Sequence, residues 1–437
     1  MTIYALKLLR LVFNITAMIA YIPRWFVSGM RILLYEDRKG NWTLGRHMCG
    51  QVMRYSGIRQ KKVLCFFFRS DLISSRTLES VSNHLILNNR LALPNSTVPD
   101  HTAVQGPAGV WIPAVPEGMI IGEISALARD RNITSISIPG YWIHKDNKLG
   151  FESPPSPGEK VLYHLHGGAY IIGSAHPDGI LGRVSKELLK YSSSPSFRRT
   201  FGVEYRLSKW GEPGKRSEFP FPTALIDALA GYLYLIKLGF SEEDIIIAGD
   251  SAGGNLALAL TRYLLLKKGK ERRLPKVPAA LVLLSPYTDA SSQFVDNPGP
   301  QSSLTINAER DWLEPIHEGV RRLDALAFLG GRPEDVELAY RNPYVSAASP
   351  ILLGLTPDSP TRTIYFKGFP RTFIDNGSFD VLYDQVLLLA NAMVEDLGED
   401  MVVYNEVAGA PHDYLFLPWC DPDGPNTAKK ILEWLWL

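Results

Sequence analysis

Cysteine is scarce. The 437-residue chain holds three, Cys49, Cys65 and Cys420, with no C-x-x-C pair and no metal-like spacing to histidine. That excludes a disulfide framework and a zinc site, and no motif calls for a cofactor. An excess of one charge is also missing: 46 Lys and Arg stand against 45 Asp and Glu, a formal charge of +1. Without a basic surplus the chain is not expected to bind nucleic acid, and a hydrophobic fraction of 46% excludes a disordered chain. Long uncharged apolar runs are missing too. Ile3 to Leu34 is rich in Leu, Ile, Phe, Tyr and Trp, but Lys7, Arg10 and Arg24 leave only Leu11 to Pro23 uncharged, short of the roughly 20 apolar residues that span a bilayer. No small-x-small cleavage site follows, because Met18 sits two before Ala20. No internal repeat is present.

Three readings of residues 1–34 stay open: a signal anchor with Lys7 and Arg10 on the cytoplasmic side, a helix lying in a membrane interface, and a cap helix packed over a site. The anchor reading places the protein at the endoplasmic reticulum or in a secretory lumen, where the sequons at Asn14, Asn41, Asn95 and Asn132 would accept glycans. The cap reading leaves a cytoplasmic protein.

From about residue 130 short apolar β-rich runs alternate with helical stretches, the pattern of an α/β protein with a mostly parallel sheet covered on both faces. The expected strands are Thr134–Ile138, Val161–Leu165, Thr200–Val203, Ile245–Ala248, Ala280–Leu284, Thr372–Asp375 and Met401–Tyr404. The expected helices are Ile180–Tyr191, Pro222–Leu238, Gly254–Lys268, Leu382–Leu397 and Asn426–Trp436. Two segments fall outside this rhythm, residues 1–130 and the long connection at about 286–371, and both are candidate cap regions over a catalytic domain at 131–437. Residues 209–219, charged and punctuated by Gly and Pro, read as an exposed loop.

Gly249-Asp-Ser251-Ala-Gly253 joins the apolar run Ile245–Ala248 to a helical run. A G-x-S-x-G between strand and helix is the context of a nucleophile elbow: the turn is so tight that the serine's neighbours must be small, and it lifts Oγ of Ser251 above the sheet edge. The helix N-terminus behind it offers N–H groups to developing negative charge. Upstream, His166-Gly167-Gly168-Ala169 ends another apolar run. Glycines let the backbone approach a carbonyl, so the N–H groups of Gly167 and Gly168 are expected to join that of Ala252 in an oxyanion hole. His166 reads as a structural residue bonded to that loop.

An acid and then a base should follow the serine. His412, in Gly409-Ala-Pro-His412-Asp, comes after the last expected strand and is the candidate base; His317, within the long connection, is the competitor. Asp380 follows a strand and a Gly turn, as the residue that fixes the tautomer of His412 must. Asp375 falls too early, and Asp384 belongs to the next helix and braces or caps it.

These residues resemble the hormone-sensitive-lipase-like branch of the α/β hydrolases, the alpha/beta hydrolase fold-3 esterases and lipases, and within it the fungal type. The similarity covers HGGA at 166–169, GDSAGGN at 249–255, Glu204-Tyr-Arg-Leu207, Phe221-Pro222 through Asp227, Leu284-Ser-Pro286, Ala348-Ser-Pro350 and, as a variant of D-x-L-x-x-D, the run Asp380-Val-Leu382-Tyr-Asp384. It implies an α/β-hydrolase fold with a helical cap and a serine esterase or deacetylase acting on small acylated molecules through an acyl-enzyme; the apolar N-terminus adds the expectation of a short-chain ester of a small apolar molecule, such as a sterol or secondary metabolite. Ala169 stands where the family more often has glycine, and Ser208-Lys-Trp210 replaces its A-P-E. Two alternatives stay open: a non-hydrolytic ligand receptor on the same fold, and a lactonase, amidase or acyltransferase with the same triad.

Overall fold

A computed structural model of the protein describes residues 100–145, 153–211, 215–266, 274–294, 298–313 and 320–436. Residues 1–34, the sequons at Asn14, Asn41 and Asn95, and His317 lie outside the described residues.

Eight strands form one sheet in the order β1-β2-β4-β3-β5-β6-β7-β8. They are β1 Gly109–Ile112, β2 Ile138–His144, β3 Lys160–Leu165, β4 Phe197–Val203, β5 Ile245–Asp250, β6 Ala280–Leu284, β7 Arg371–Gly377 and β8 Val402–Val407. The pairs β1–β2 and β2–β4 are antiparallel, and every other pair is parallel. The parallel strands read as continuous apolar runs, IIIA in β5 and ALVLL in β6, because both faces are covered.

The helices are α1 Gly122–Asp130, α2 Gly182–Tyr191, α3 Thr223–Leu238, α4 Ala252–Leu264, α5 Ser303–Ile306, α6 Val320–Leu329, α7 Glu337–Arg341, α8 Tyr383–Leu397 and α9 Asp423–Leu435. The buried residues of α2 and α9 share one core with Leu162, Ile246 and Val282. Those of α3, α4 and α8 share the other with Tyr163, Ile247 and Leu283. Alternation along each strand thus feeds two cores. The approach of α3 is close: a Cβ on Gly231 would lie 2.1 Å from the Tyr163 hydroxyl, which donates to Ala228 O at 2.8 Å.

The start of the sheet departs from the sequence expectation. The first strand is Gly109–Ile112, inside the segment assigned to precede the sheet, and the next is Ile138–His144 rather than Thr134–Ile138. Pro139-Gly140 hides this strand from a propensity reading. Glycine is there for space, since a Cβ on Gly140 would sit 2.5 Å from the Phe201 ring and 2.6 Å from Ile112 Cδ1. Helix α4 begins at Ala252, two residues before the expected Gly254. Among its described residues, the connection 286–371 carries α5, α6 and α7.

Candidate active site

Ser251 is the single residue between β5 and α4. It holds φ 50° and ψ −116°, a backbone conformation that costs an L-residue roughly 1–3 kcal/mol. The surroundings impose it: Ser251 N–H donates to Leu284 O at 2.9 Å, and Tyr287 N–H donates to Ser251 O at 2.9 Å. The flanking glycines are obligatory, because a Cβ on Gly249 would lie 2.2 Å from Gly253 O, and one on Gly253 1.9 Å from Leu165 O. The G-x-S-x-G spacing is therefore steric.

The loops after β7 and β8 bring Asp380 and His412 to this serine. His412 Nε2 lies 3.0 Å from Ser251 Oγ, and Nδ1 lies 2.9 Å from Asp380 Oδ2. Asp380 Oδ1 accepts from Leu382 N at 2.7 Å, which fixes the carboxylate. Both side chains are buried, whereas Ser251 is half-buried. Burial alone would lower the pKa of His412, but the Asp380 and Asp413 carboxylates outweigh it and hold the imidazole well above the ordinary histidine value. Asp413 Oδ2 stands 3.2 Å from Nε2.

Asp384 lies in the first turn of α8, where its carboxylate accepts from Ser303 N at 2.8 Å. Asp375 is within β7, bonded to Asn405 Nδ2 at 2.6 Å and the Tyr414 hydroxyl at 2.9 Å. His166 is buried and stacked on Tyr205 with ring centroids 4.2 Å apart, and its Nδ1 donates to Gly167 O at 2.8 Å. Burial lowers its pKa to about 4, so it is neutral.

The glycine loop differs from expectation in one donor. A Cβ on Gly167 would sit 3.2 Å from Ser251 Cβ, so the loop passes beside the serine. Yet Gly167 N–H donates to Asp250 Oδ2 at 2.8 Å and is consumed. Asp250 Oδ1 meets His164 Nε2 at 2.8 Å, so this carboxylate ties the loop to two strands. The N–H groups of Gly168, Ala169 and Ala252 donate to no acceptor among the described residues; Ala252 is the first residue of α4, where helices leave N–H groups free. Gly168 and Ala169 both have positive φ, 111° and 55°.

Sequence reasoning missed three further groups. Asp250 sits inside the serine motif but gave no sign that it would reach Gly167. Asp413 adjoins His412 in sequence, and its adjacency was a usable signal. Asp311, from the 286–371 connection, accepts from His412 N at 3.2 Å and Val381 N at 2.8 Å, and no local pattern announces it.

The sequence model of the alpha/beta hydrolase fold family (Abhydrolase_3) matches residues 162–416. Among relatives, Esterase LipU of Mycobacterium tuberculosis (strain ATCC 25618 / H37Rv) is 28% identical over 283 residues, 64% of this chain and 79% of its own length. An acetyl-hydrolase of Streptomyces hygroscopicus is 27% identical over 242 residues, 55% of this chain and 64% of its own. The crystal structure of EstE5 soaked with ethyl alcohol superposes with a TM-score of 0.50 at 21% identity, over 80% of this chain and 96% of that one, a likeness of fold. With the match running from β3 past His412 and spanning more than half of the sequence, the chain belongs to the alpha/beta hydrolase fold family.

Proposed function

We propose that the protein hydrolyses short-chain carboxylic esters through an acyl-enzyme on Ser251, with His412 as base and Asp380 as the acid that orients it. The enzyme is a carboxylic ester hydrolase, in keeping with relatives named esterase and acetyl-hydrolase. The observation that carries the assignment is the unbroken chain from Asp380 Oδ2 through both imidazole nitrogens to Ser251 Oγ, at 2.9 and 3.0 Å.

Ser251 Oγ attacks the ester carbonyl while His412 Nε2 takes its proton. Asp380 stabilises the imidazolium without itself being protonated. The carbonyl oxygen becomes an oxyanion, received by the free N–H groups of Gly168, Ala169 and Ala252; each such donor is worth roughly 3 kcal/mol of barrier. Collapse expels the alcohol, which takes the proton from Nε2. Water then attacks the acyl-Ser251 and gives a proton to His412; the acyl–Oγ bond breaks, His412 returns the proton to Ser251 Oγ, and the carboxylic acid departs.

The apolar composition of residues 3–34 supports an apolar alcohol portion, such as a sterol or secondary metabolite, and the relative named acetyl-hydrolase supports an acetyl group as the acyl portion. The connection 286–371 is the proposed cap over the site; of the segment 1–130, Gly109–Ile112 belongs to the sheet and residues 1–99 lie outside the described residues. The relatives reported above are bacterial, so the fungal-type subdivision rests on the motifs alone. Membrane attachment is a reading of residues 1–34; no helix among the described residues is long and apolar enough to cross a bilayer. High-speed pelleting decides it: full-length protein that stays in the supernatant without detergent refutes attachment.

A fluorophosphonate probe together with a p-nitrophenyl ester chain-length series tests the whole reading. Wild-type protein should label and turn over short acyl esters, and Ser251→Ala should do neither while staying folded. A folded wild type that neither labels nor hydrolyses any ester would favour the non-hydrolytic receptor, and turnover by Ser251→Ala would remove the nucleophile. Faster cleavage of lactones or amides than of esters would move the enzyme to a neighbouring acyl-processing class.

A further inference from the structure

Asp380 and His412 come from different loops, after β7 and after β8, and no hydrogen bond between the two backbones fixes Asp380 directly against His412. The loops meet one residue before Asp380 and two before His412, where Phe379 N–H donates to Ala410 O at 3.0 Å, and a third segment, residues 303–312 from the connection between β6 and β7, adds a second tie at the two residues themselves. On the acid side, Asn307 Nδ2 donates to Asp380 O at 2.8 Å and Ser378 O at 3.1 Å, and Ser303 Oγ donates to Val381 O at 2.9 Å. On the base side, Trp312 Nε1 donates to His412 O at 2.6 Å. Asp311 alone reaches both: Oδ2 accepts from Val381 N at 2.8 Å, and Oδ1 accepts from His412 N at 3.2 Å. Oδ1 also accepts from Leu313 N at 3.2 Å, so the side chain is braced by its own strand of chain.

Asp311 is 2% exposed. A carboxylate in that position is costly unless its lone pairs are taken up, and three backbone N–H groups take them up. Burial and the nearby Asp380 charge push its carboxyl up to about 7. An apolar side chain would fill the same space with less desolvation, so the acceptor geometry is what distinguishes aspartate here.

We infer that Asp311 is a positioning residue for the proposed hydrolysis: its single carboxylate clamps the Asp380 loop and the His412 loop at the separation the triad requires. The inference rests on the triad reading. It makes the long connection part of the catalytic frame as well as a cover, since the segment that would shape the pocket also sets the acid–base distance. Ligand-driven movement of that segment would reach the triad through Asp311 and Trp312.

The test compares wild type, Asp311→Asn and Asp311→Ala, with active sites titrated by fluorophosphonate so that rates are expressed per reactive serine. Asparagine keeps the shape but replaces one acceptor by a donor facing Val381 N–H or His412 N–H. Per-site kcat for Asp311→Asn should fall by about 10²-fold, the size of effect a displacement near 1 Å can produce, with KM near the wild-type value. The downfield proton resonance of the His412–Asp380 hydrogen bond should broaden or vanish. A role in folding alone would lower the number of titrated sites and leave per-site kcat and that resonance unchanged, which would overturn the inference. If Asp311→Ala does not fold, Asp311→Asn still decides. Failure of the wild type to label at Ser251 would bring down the triad reading, and this one with it; a labelling wild type with a fully active Asp311→Asn overturns the positioning role alone.

Discussion

The carboxylate of Asp413 stands 3.2 Å from His412 Nε2, the same nitrogen that faces Ser251 Oγ at 3.0 Å. The imidazole is thus flanked by a carboxylate at each nitrogen, Asp380 on Nδ1 and Asp413 on Nε2. Both favour the protonated ring, against a burial effect that disfavours it.

A pH dependence follows with a definite sign. The base must be neutral to accept the serine proton, so activity is lost as pH falls through the raised pKa of His412. The acid limb of kcat/KM should therefore lie above 6.5, the ordinary histidine value. Asp413→Asn removes one of the two opposing charges and should move that limb to lower pH. A pH–rate profile of both proteins checks it, and an unmoved or rising limb in the variant would contradict the electrostatic account.

The acid assignment separates Asp380 from Asp384. Asp380→Asn should lower kcat by roughly 10⁴-fold, because the wrong tautomer of His412 is then favoured. Asp384→Asn keeps an oxygen to accept from Ser303 N and should retain most activity. Steady-state kinetics on the two variants decide the matter, and a larger loss in Asp384→Asn reverses the assignment.

Ala169 occupies a left-handed conformation, φ 55°. Relief of roughly 1–2 kcal/mol of αL strain, offset by roughly 0.5–1 kcal/mol of added chain entropy, makes Ala169→Gly neutral to stabilising, by a net of about 0–1.5 kcal/mol. Its N–H is kept, so turnover should persist. Urea titration with a parallel activity assay tests both halves, and a destabilised variant counts against the strain argument.

Asp250→Ala should act on stability and rate together. It strands Gly167 N–H and His164 Nε2 in a buried setting, at about 1–3 kcal/mol for each group left unpaired. The loop bearing Gly168 and Ala169 also loses its anchor. A lowered denaturation midpoint with reduced kcat is expected. Wild-type values for both would show that Asp250 is dispensable to the loop.

Much of the site was legible because its constraints are local. G-x-S-x-G must carry glycine where a Cβ would strike Gly253 O or Leu165 O, and the parallel strands announce themselves as apolar runs buried on both faces. The order of serine, aspartate and histidine along the chain narrowed the partners to Asp380 and His412. The first two strands were not legible: β1 is four residues long, and β2 carries Pro139-Gly140, where glycine answers to Phe201 on a strand sixty residues away.

What the sequence by itself determined is the set of candidate groups that meet at Ser251 and the parallel frame beneath them, since turn sterics and strand hydrophobicity are written in adjacent residues. What only the tertiary structure decided is which of those groups are free. Gly167 and Gly168 are indistinguishable as letters, yet Asp250 consumes the N–H of one and leaves that of the other open. Asp311 carries no motif, yet it joins two loops that stand 31 residues apart in sequence, at Val381 and His412. Hydrogen-bond partners across such separations depend on how β6, β7 and β8 stack side by side, and no window along the chain contains that information.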